Sequence, residues 1–274
     1  MEQPTNPFGI NRYLGVEYFC DREVETNMLL SNIAQQKHTT LFALRRLGKS
    51  ALIHHVFHLL RKKRNQKCIY VDIYATQNLK DLTNQLAKSI YTLFPEKKGI
   101  GKSFWEFIKL FRPTLSVDEL TGAPELSLDI AQPKQLEKTI PQLLTFLDQQ
   151  NIKIVVALDE FQQIMTYPEK NIEAILRTVM QQLKNVTFIY CGSNQTIMHE
   201  IFNSAKRPFY ASCSSLHLEQ IERKMYHDFI KKMFLNYTYK IEDDAIEYIL
   251  DFTNGYTYYT QRLCHDVFEQ KQKT

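Results

Sequence analysis

The sequence predicts an α/β fold: a parallel five-stranded sheet with flanking helices, followed by a small helical domain. Three observations carry this. Short β-rich apolar runs alternate with longer helical patterns up to residue 218, the sign of strands joined by crossover helices. One run, Ile154-Val155-Val156-Ala157-Leu158, is apolar at every position, which suits a strand covered on both faces. Beyond residue 218 the strand pattern stops and only helical periodicity continues.

In chain order, a helix is expected over 23–36, then a strand over Thr39–Ala43 and a helix over 49–64. The strand Cys68–Ile73 and a helix over 78–93 follow. Residues 95–133 interrupt the alternation as an insertion, in which Thr121-Gly122-Ala123-Pro124 has the small and turn-forming residues to close a hairpin within Thr114–Ile130. The pattern resumes with a helix over 134–150, the strand Lys153–Leu158, a helix over 170–184, the strand Thr187–Cys191, a helix over 195–203 and the strand Ser214–Leu218. Three helices close the chain: Ile221–Leu235, Glu242–Phe252 and Tyr258–Glu269. The expected division is residues 1–218 as the sheet domain and 219–274 as a helical lid.

Composition narrows the class. A chain of 274 residues buries a sizeable core. No apolar stretch reaches the ~20 residues that span a bilayer, and the N-terminus has no signal-peptide pattern, so no membrane association and a cytoplasmic location are expected. Cys20, Cys68, Cys191, Cys213 and Cys264 are widely spaced with no Cys-x-x-Cys pair, which reads as buried free thiols. The net charge of +4 permits contact with nucleic acid without indicating it, because acidic and basic residues are mixed. The dense run Arg61-Lys62-Lys63-Arg64 reads as the cationic end of a helix.

The strand Thr39–Ala43 leads into Ala43-Leu44-Arg45-Arg46-Leu47-Gly48-Lys49-Ser50-Ala51, where a helix begins. Apart from Ala43 in place of a first glycine, this is the phosphate-loop pattern G-x-x-x-x-G-K-[ST]. Gly48 lets the backbone approach an anion, and the amides at the helix start point along the helix dipole. Lys49 supplies a mobile charge for the β- and γ-phosphates, and Ser50 an oxygen for Mg²⁺. Ala43 fits if its backbone is extended and is penalised if it needs a positive φ. A second Gly-Lys-Ser, within Gly99-Ile100-Gly101-Lys102-Ser103, has Glu96 at the first pattern position and follows Pro95 rather than a strand; it is rejected as a nucleotide site.

The strand ending at Leu158 runs into Asp159-Glu160. An acid at the carboxyl end of a buried strand suits Mg²⁺, and the next suits the handling of a proton on an attacking water. The same pair could simply begin the next helix. His54 and His58 stand one turn apart without an evident third ligand. Tyr256, Tyr258 and Tyr259 could stack on bases or pack a lid.

These residues resemble the archaeal-type ATPase family, among the AAA+ and STAND branches of P-loop ATPases. The resemblance rests on the order of Phe19-Cys20-Asp21-Arg22-Glu23-Val24-Glu25, the phosphate loop, Ala157-Leu158-Asp159-Glu160-Phe161-Gln162, Cys191-Gly192-Ser193-Asn194, Arg207-Pro208-Phe209-Tyr210, and the segment from Asn254 to Gln261. It implies an ATP- and Mg²⁺-dependent ATPase in which Tyr18, Phe19 and Arg22 contact adenine, Ser193 or Asn194 senses the γ-phosphate, and Arg207 offers an arginine to a phosphate. The family's lid has Pro where Thr257 stands here, and relatives carry a winged-helix or nuclease-like domain after the lid, which is expected to be absent or removed before Thr274. Three roles are open: an ATP-hydrolysing switch driving a protein partner or self-assembly, a slow sensor of ATP against ADP, and a DNA-associated ATPase like the origin-recognition relatives.

Overall fold

The computed structural model describes residues 4–10, 12–63, 65–94, 99–117, 124–130 and 133–273. In chain order the elements are α1 (Glu23–Ala34), β1 (Thr39–Ala43), α2 (Lys49–Leu60), β2 (Gln66–Asp72), α3 (Leu79–Leu93), α4 (Gly99–Ile108), β3 (Pro113–Val117) and β4 (Pro124–Leu128). They continue with α5 (Pro133–Asp148), β5 (Lys153–Asp159), α6 (Ile172–Met180), β6 (Val186–Gly192), α7 (Gln195–Asn203), β7 (Ser214–Leu218), α8 (Arg223–Leu235), α9 (Asp243–Phe252) and α10 (Thr257–Lys273).

The main sheet has the order β2-β5-β6-β1-β7. β2 pairs with β5, β5 with β6 and β6 with β1, all parallel, and Asp72 stands opposite Asp159. β1 and β6 are buried throughout their lengths and β5 after its first residue. That double coverage explains why their sequences are apolar runs rather than alternating ones. From Cys68 on, the outer strand β2 does alternate: Ile69 and Val71 are buried, while Cys68, Tyr70 and Asp72 are less so. Because the strands run parallel, the carboxyl ends of β1, β5 and β6 open on the same edge of the sheet, the edge where ligands bind in such folds.

The insertion contains one element that the sequence did not announce. The spacing of Gly101, Phe104 and Ile108 puts all three on the buried face of α4. Two early glycines oppose a helix there, but the burial of Phe104 and Ile108 among residues of α3 and α5 outweighs them. The second Gly-Lys-Ser thus lies inside a helix. β3 and β4 form the expected hairpin, Thr114 opposite Ser127 and Leu115 opposite Leu126; its turn at 121–123 is outside the described residues. α2 ends at Leu60, and Arg61 to Lys63 form the turn beyond it. Arg64, Pro95 and Glu96 are also outside the described residues.

The chain forms two compact units, Met1–Leu30 with Ala43–Leu59 and His217–Thr274, and Ser31–Phe42 with Leu60–Leu216. The second holds most of the sheet and a core of Phe42, Ile69, Val71, Leu143, Leu147, Val156 and Phe188, among others. In the first unit Phe8 lies with Ile230, Phe234, Ile249 and Phe268, its ring 5.4 Å from Phe234 and 6.1 Å from Phe268. The Tyr237 hydroxyl donates to the Pro4 carbonyl at 2.7 Å and Asn6 Nδ2 to the His265 carbonyl at 3.1 Å. The N-terminal segment is therefore part of the same core as the C-terminal helices.

All five cysteines are free. Cys20 and Cys264 belong to the core of the first unit, while Cys68, Cys191 and Cys213 belong to the second. Burial pushes the thiol of Cys20 up to about 12, Cys68 to about 12 and Cys213 to about 11, and raises Cys264 further. Among the described residues no helix is long and apolar enough to cross a membrane.

Candidate nucleotide site

Ala43 is the last residue of β1, fully buried and with no positive φ, so the missing first glycine causes no backbone conflict. The turn that follows does use left-handed backbone, at Arg46 (φ 70°) and Gly48 (φ 91°). Leu44, Arg45 and Arg46 are exposed, Leu47 is buried, and Lys49 begins α2 with only 7 % of its surface exposed. Ser50 and Ala51 continue that first turn, whose amides lie at the positive end of the helix dipole.

The start of α10 is attached to this loop. Tyr258 N–H donates to the Arg46 carbonyl at 3.0 Å, and Thr257 Oγ1 donates to the Leu47 carbonyl at 3.1 Å. The Arg46 guanidinium lies 4.6 Å from the Tyr259 ring centroid and 5.4 Å from that of Tyr258. Thr257 thus makes a contact of its own with the loop, and two of the three tyrosines serve the loop's arginine.

Beside the loop, a cleft is lined by Tyr13, Tyr18, Phe19, Ala51, Thr257 and Gln261, among others. Its lining, more apolar than polar, is of the kind found in small-molecule sites. Phe19 stacks on His55, 4.1 Å between centroids and 10° between planes. Burial, with the nearby His58, lowers the His55 pKa, and burial raises that of Tyr13 to about 12. The Tyr13 hydroxyl and His55 Nδ1 are hydrogen-bonded at 2.8 Å. His55, not His54, supports the cleft wall. Arg22, expected against adenine, is 4 % exposed and left-handed (φ 70°). Its guanidinium donates to Glu25 Oε1 at 2.9 Å and to the Leu47 and Glu219 carbonyls at 3.4 and 2.5 Å. It lines the cleft while bolting three segments together.

In the other unit, Asp159 ends β5 at 3 % exposure. Its Oδ2 accepts the Tyr70 hydroxyl, and its Oδ1 accepts Glu160 N–H at 2.8 Å. Glu160 is left-handed (φ 57°, ψ 41°), a conformation that costs a non-glycine residue about 1–3 kcal/mol and collects at functional positions. Its Oε2 accepts both Ser193 Oγ, at 2.7 Å, and Gln162 Nε2, at 2.6 Å. Asn194, the other candidate γ-phosphate sensor, instead caps α7, accepting Ile197 N–H at 3.2 Å, the normal task of Asn before a helix. Arg207 pairs with Glu173 at 3.0 Å and Glu200 at 3.6 Å. Burial raises the Glu173 carboxyl pKa, and the guanidinium works against that rise. The charge of Arg207 is met within its own unit.

A sequence profile described as an ATPase domain predominantly from Archaea matches residues 19–263. The chain belongs to this ATPase family. Comparison with curated proteins found no match. Among solved structures, the ATPase domain resembles the Walker-type ATPase of Pyrococcus abyssi, with a TM-score of 0.66 and 19% identity over 93% of this chain and 69% of that one. It also resembles the Orc1 protein of Aeropyrum pernix, solved with DNA, at 0.65 and 13% identity over 98% and 65% of the two chains. The Cdc6p protein of Pyrobaculum aerophilum gives 0.63 and 12% over 97% and 65%. At these identities the likeness is one of fold, and the chain spans only 65–69% of those proteins. The fold is thus that of a P-loop ATPase, a parallel five-stranded sheet with flanking helices.

The parts played by four residues escaped the sequence reading: Tyr70 on Asp159, Gln162 on Glu160, and the Tyr13–His55 pair behind Phe19. Tyr70 could have been found, since the alternation of Ile69, Val71 and Ile73 turns Tyr70 to the opposite face. The Tyr13–His55 pair joins residues 42 positions apart, and nothing local announces it.

Proposed function

We propose that this ATPase domain binds ATP with Mg²⁺ and hydrolyses it as a nucleotide-driven switch acting on a partner. The observation carrying the proposal is the phosphate loop at the end of β1, with Lys49 buried at the start of α2, combined with an acidic pair ending the parallel strand β5. The residues suit the ligand. Gly48 holds a backbone angle that side chains rarely adopt, the cleft beside it is lined by aromatic rings with a few polar groups, and Ser50 and Asp159 are oxygen donors of the kind that a hard cation takes.

Tyr18 and Phe19 would flank the base, and Ala43 to Ala51 would cradle the phosphates with Lys49 as their counter-charge. Ser50 and Asp159 would hold Mg²⁺, which when bound neutralises charge on the phosphates. Glu160 would orient the attacking water and accept its proton, and Ser193 would be the γ-phosphate contact. Arg207 enters as a stabilising tie through Glu173 rather than as a catalytic group. Residues 219–274 would act as the lid, reporting the state of the loop through Thr257, Tyr258 and Tyr259.

The test is magnesium-dependent ATP binding and turnover in wild type, Lys49→Ala and Glu160→Gln. Lys49→Ala is expected to lose binding, and Glu160→Gln to bind with turnover reduced at least a hundredfold. A wild type that binds no ATP would end the proposal. One that binds but turns over no faster than Glu160→Gln would reduce it to a sensor.

A further inference from the structure

The side chain of Gln162 is arranged in a way that packing does not explain. Its Nε2 donates to Glu160 Oε2 at 2.6 Å, but its Oε1 is buried with no hydrogen-bond partner. A buried, unmet carbonyl is costly, and an apolar side chain of equal length would avoid it. Turning the amide over would place Oε1 against a carboxylate oxygen, which is repulsive. The observed orientation therefore keeps one charge-assisted bond to Glu160, the stronger kind, and leaves the other end unmet.

The end of β6 is shaped around this arrangement. A Cβ on Gly192 would fall within 3.0 Å of Gln162 Oε1 and of the Met198 side chain, and the φ of Gly192 is not positive. Glycine is there for space. The next residue, Ser193, supplies the second donor to the same oxygen at 2.7 Å. Two donors from different elements meeting at one oxygen fix the rotation of a carboxylate that sits on a left-handed backbone.

We infer that Gln162 is a positioning residue for hydrolysis: it holds the Glu160 carboxylate in its working orientation, with Gly192 making room for the amide. This rests on the proposed role of Glu160. A hydroxyl donates one proton to one acceptor, so when Ser193 turns to a γ-phosphate the amide is the donor that stays. Gln162 touches no substrate; its effect passes through Glu160 alone.

The experiment compares steady-state turnover, nucleotide affinity and thermal midpoint for wild type, Glu160→Gln, Gln162→Met and Gln162→Glu. Gln162→Met keeps length and removes both the donor and the unmet acceptor. Gln162→Glu keeps shape and puts a second carboxylate against the first. Both are expected to lower kcat at least tenfold while KM and the affinity for Mg–ATP change less than twofold. Gln162→Met should melt no lower than wild type. A Gln162→Met kcat within twofold of wild type, with Glu160→Gln inactive, would overturn this inference and leave the hydrolysis reading intact. Loss of affinity together with kcat would also overturn it, because the residue would then be structural. Equal turnover in wild type and Glu160→Gln would overturn both readings.

Discussion

The attachment of α10 to the phosphate loop can be measured without any nucleotide. Arg46 lies over two rings, 4.6 and 5.4 Å from their centroids, and those rings, Tyr259 and Tyr258, are 42% and 37% exposed. Partial exposure puts each cation–π contact near the low end of its range, about 0.5–1 kcal/mol, so the pair of contacts is worth about 1–2 kcal/mol. The perturbation is a double-mutant cycle between Arg46→Ala and the combined Tyr258→Leu/Tyr259→Leu. Arg46→Ala retains a Cβ at φ 70°, so backbone strain cancels around the cycle, and the Tyr258 N–H bond to the Arg46 carbonyl is untouched because it is backbone. Urea unfolding of the four proteins gives the coupling. The expected value exceeds the ~0.3–0.5 kcal/mol within which independent sites add. A cycle closing within that limit would show that the guanidinium does not hold the helix.

Two further predictions concern backbone and pH. Gly48→Ala meets only ordinary contact at Thr257, 3.4 Å away, so its cost is the φ of 91°; a loss of about 1–3 kcal/mol in unfolding free energy and at least tenfold weaker ATP binding are expected, read by urea unfolding and isothermal titration. His38 is lowered to about 4, mainly by burial and secondarily by Arg177, and its Nδ1 accepts Phe188 N–H at 3.1 Å. The unfolded chain then binds the proton more readily than the folded one, so stability is unaffected above the ordinary histidine pKa and falls as pH drops from there towards 4. Between pH 7 and 5 the loss from this group is about 2 kcal/mol, and His38→Gln should flatten that part of the stability–pH curve.

The readable parts of the molecule are those set by local pattern. β1 and β7 fall at the bounds that apolar runs gave them, and Ala43 to Ser50 and Asp159-Glu160 were visible because strand, turn and helix signals adjoin the motif. α4 was not visible, since its two glycines argue against a helix until Phe104 and Ile108 find a core to enter. Within the site, residue types were legible but their partners were not. Arg22 and Asn194 look like ligand contacts in sequence; folding binds one to carbonyls far along the chain and gives the other a helix to cap. Phe8 lies in a polar N-terminal stretch, and only the aromatic cluster around Phe268 explains its burial. Long-range pairing decides all of these, and no local spacing encodes it.

The distribution of thiols gives the molecule a built-in set of reporters. Cys20 and Cys264 stand buried in one unit and Cys191 in the other, and a buried thiol reacts with an electrophile only after the surrounding structure opens. The order in which these cysteines acquire a label in native buffer therefore ranks the opening free energies of the two units separately. No tag or added probe is needed, and repeating the labelling with nucleotide present would show which unit a bound ligand quiets.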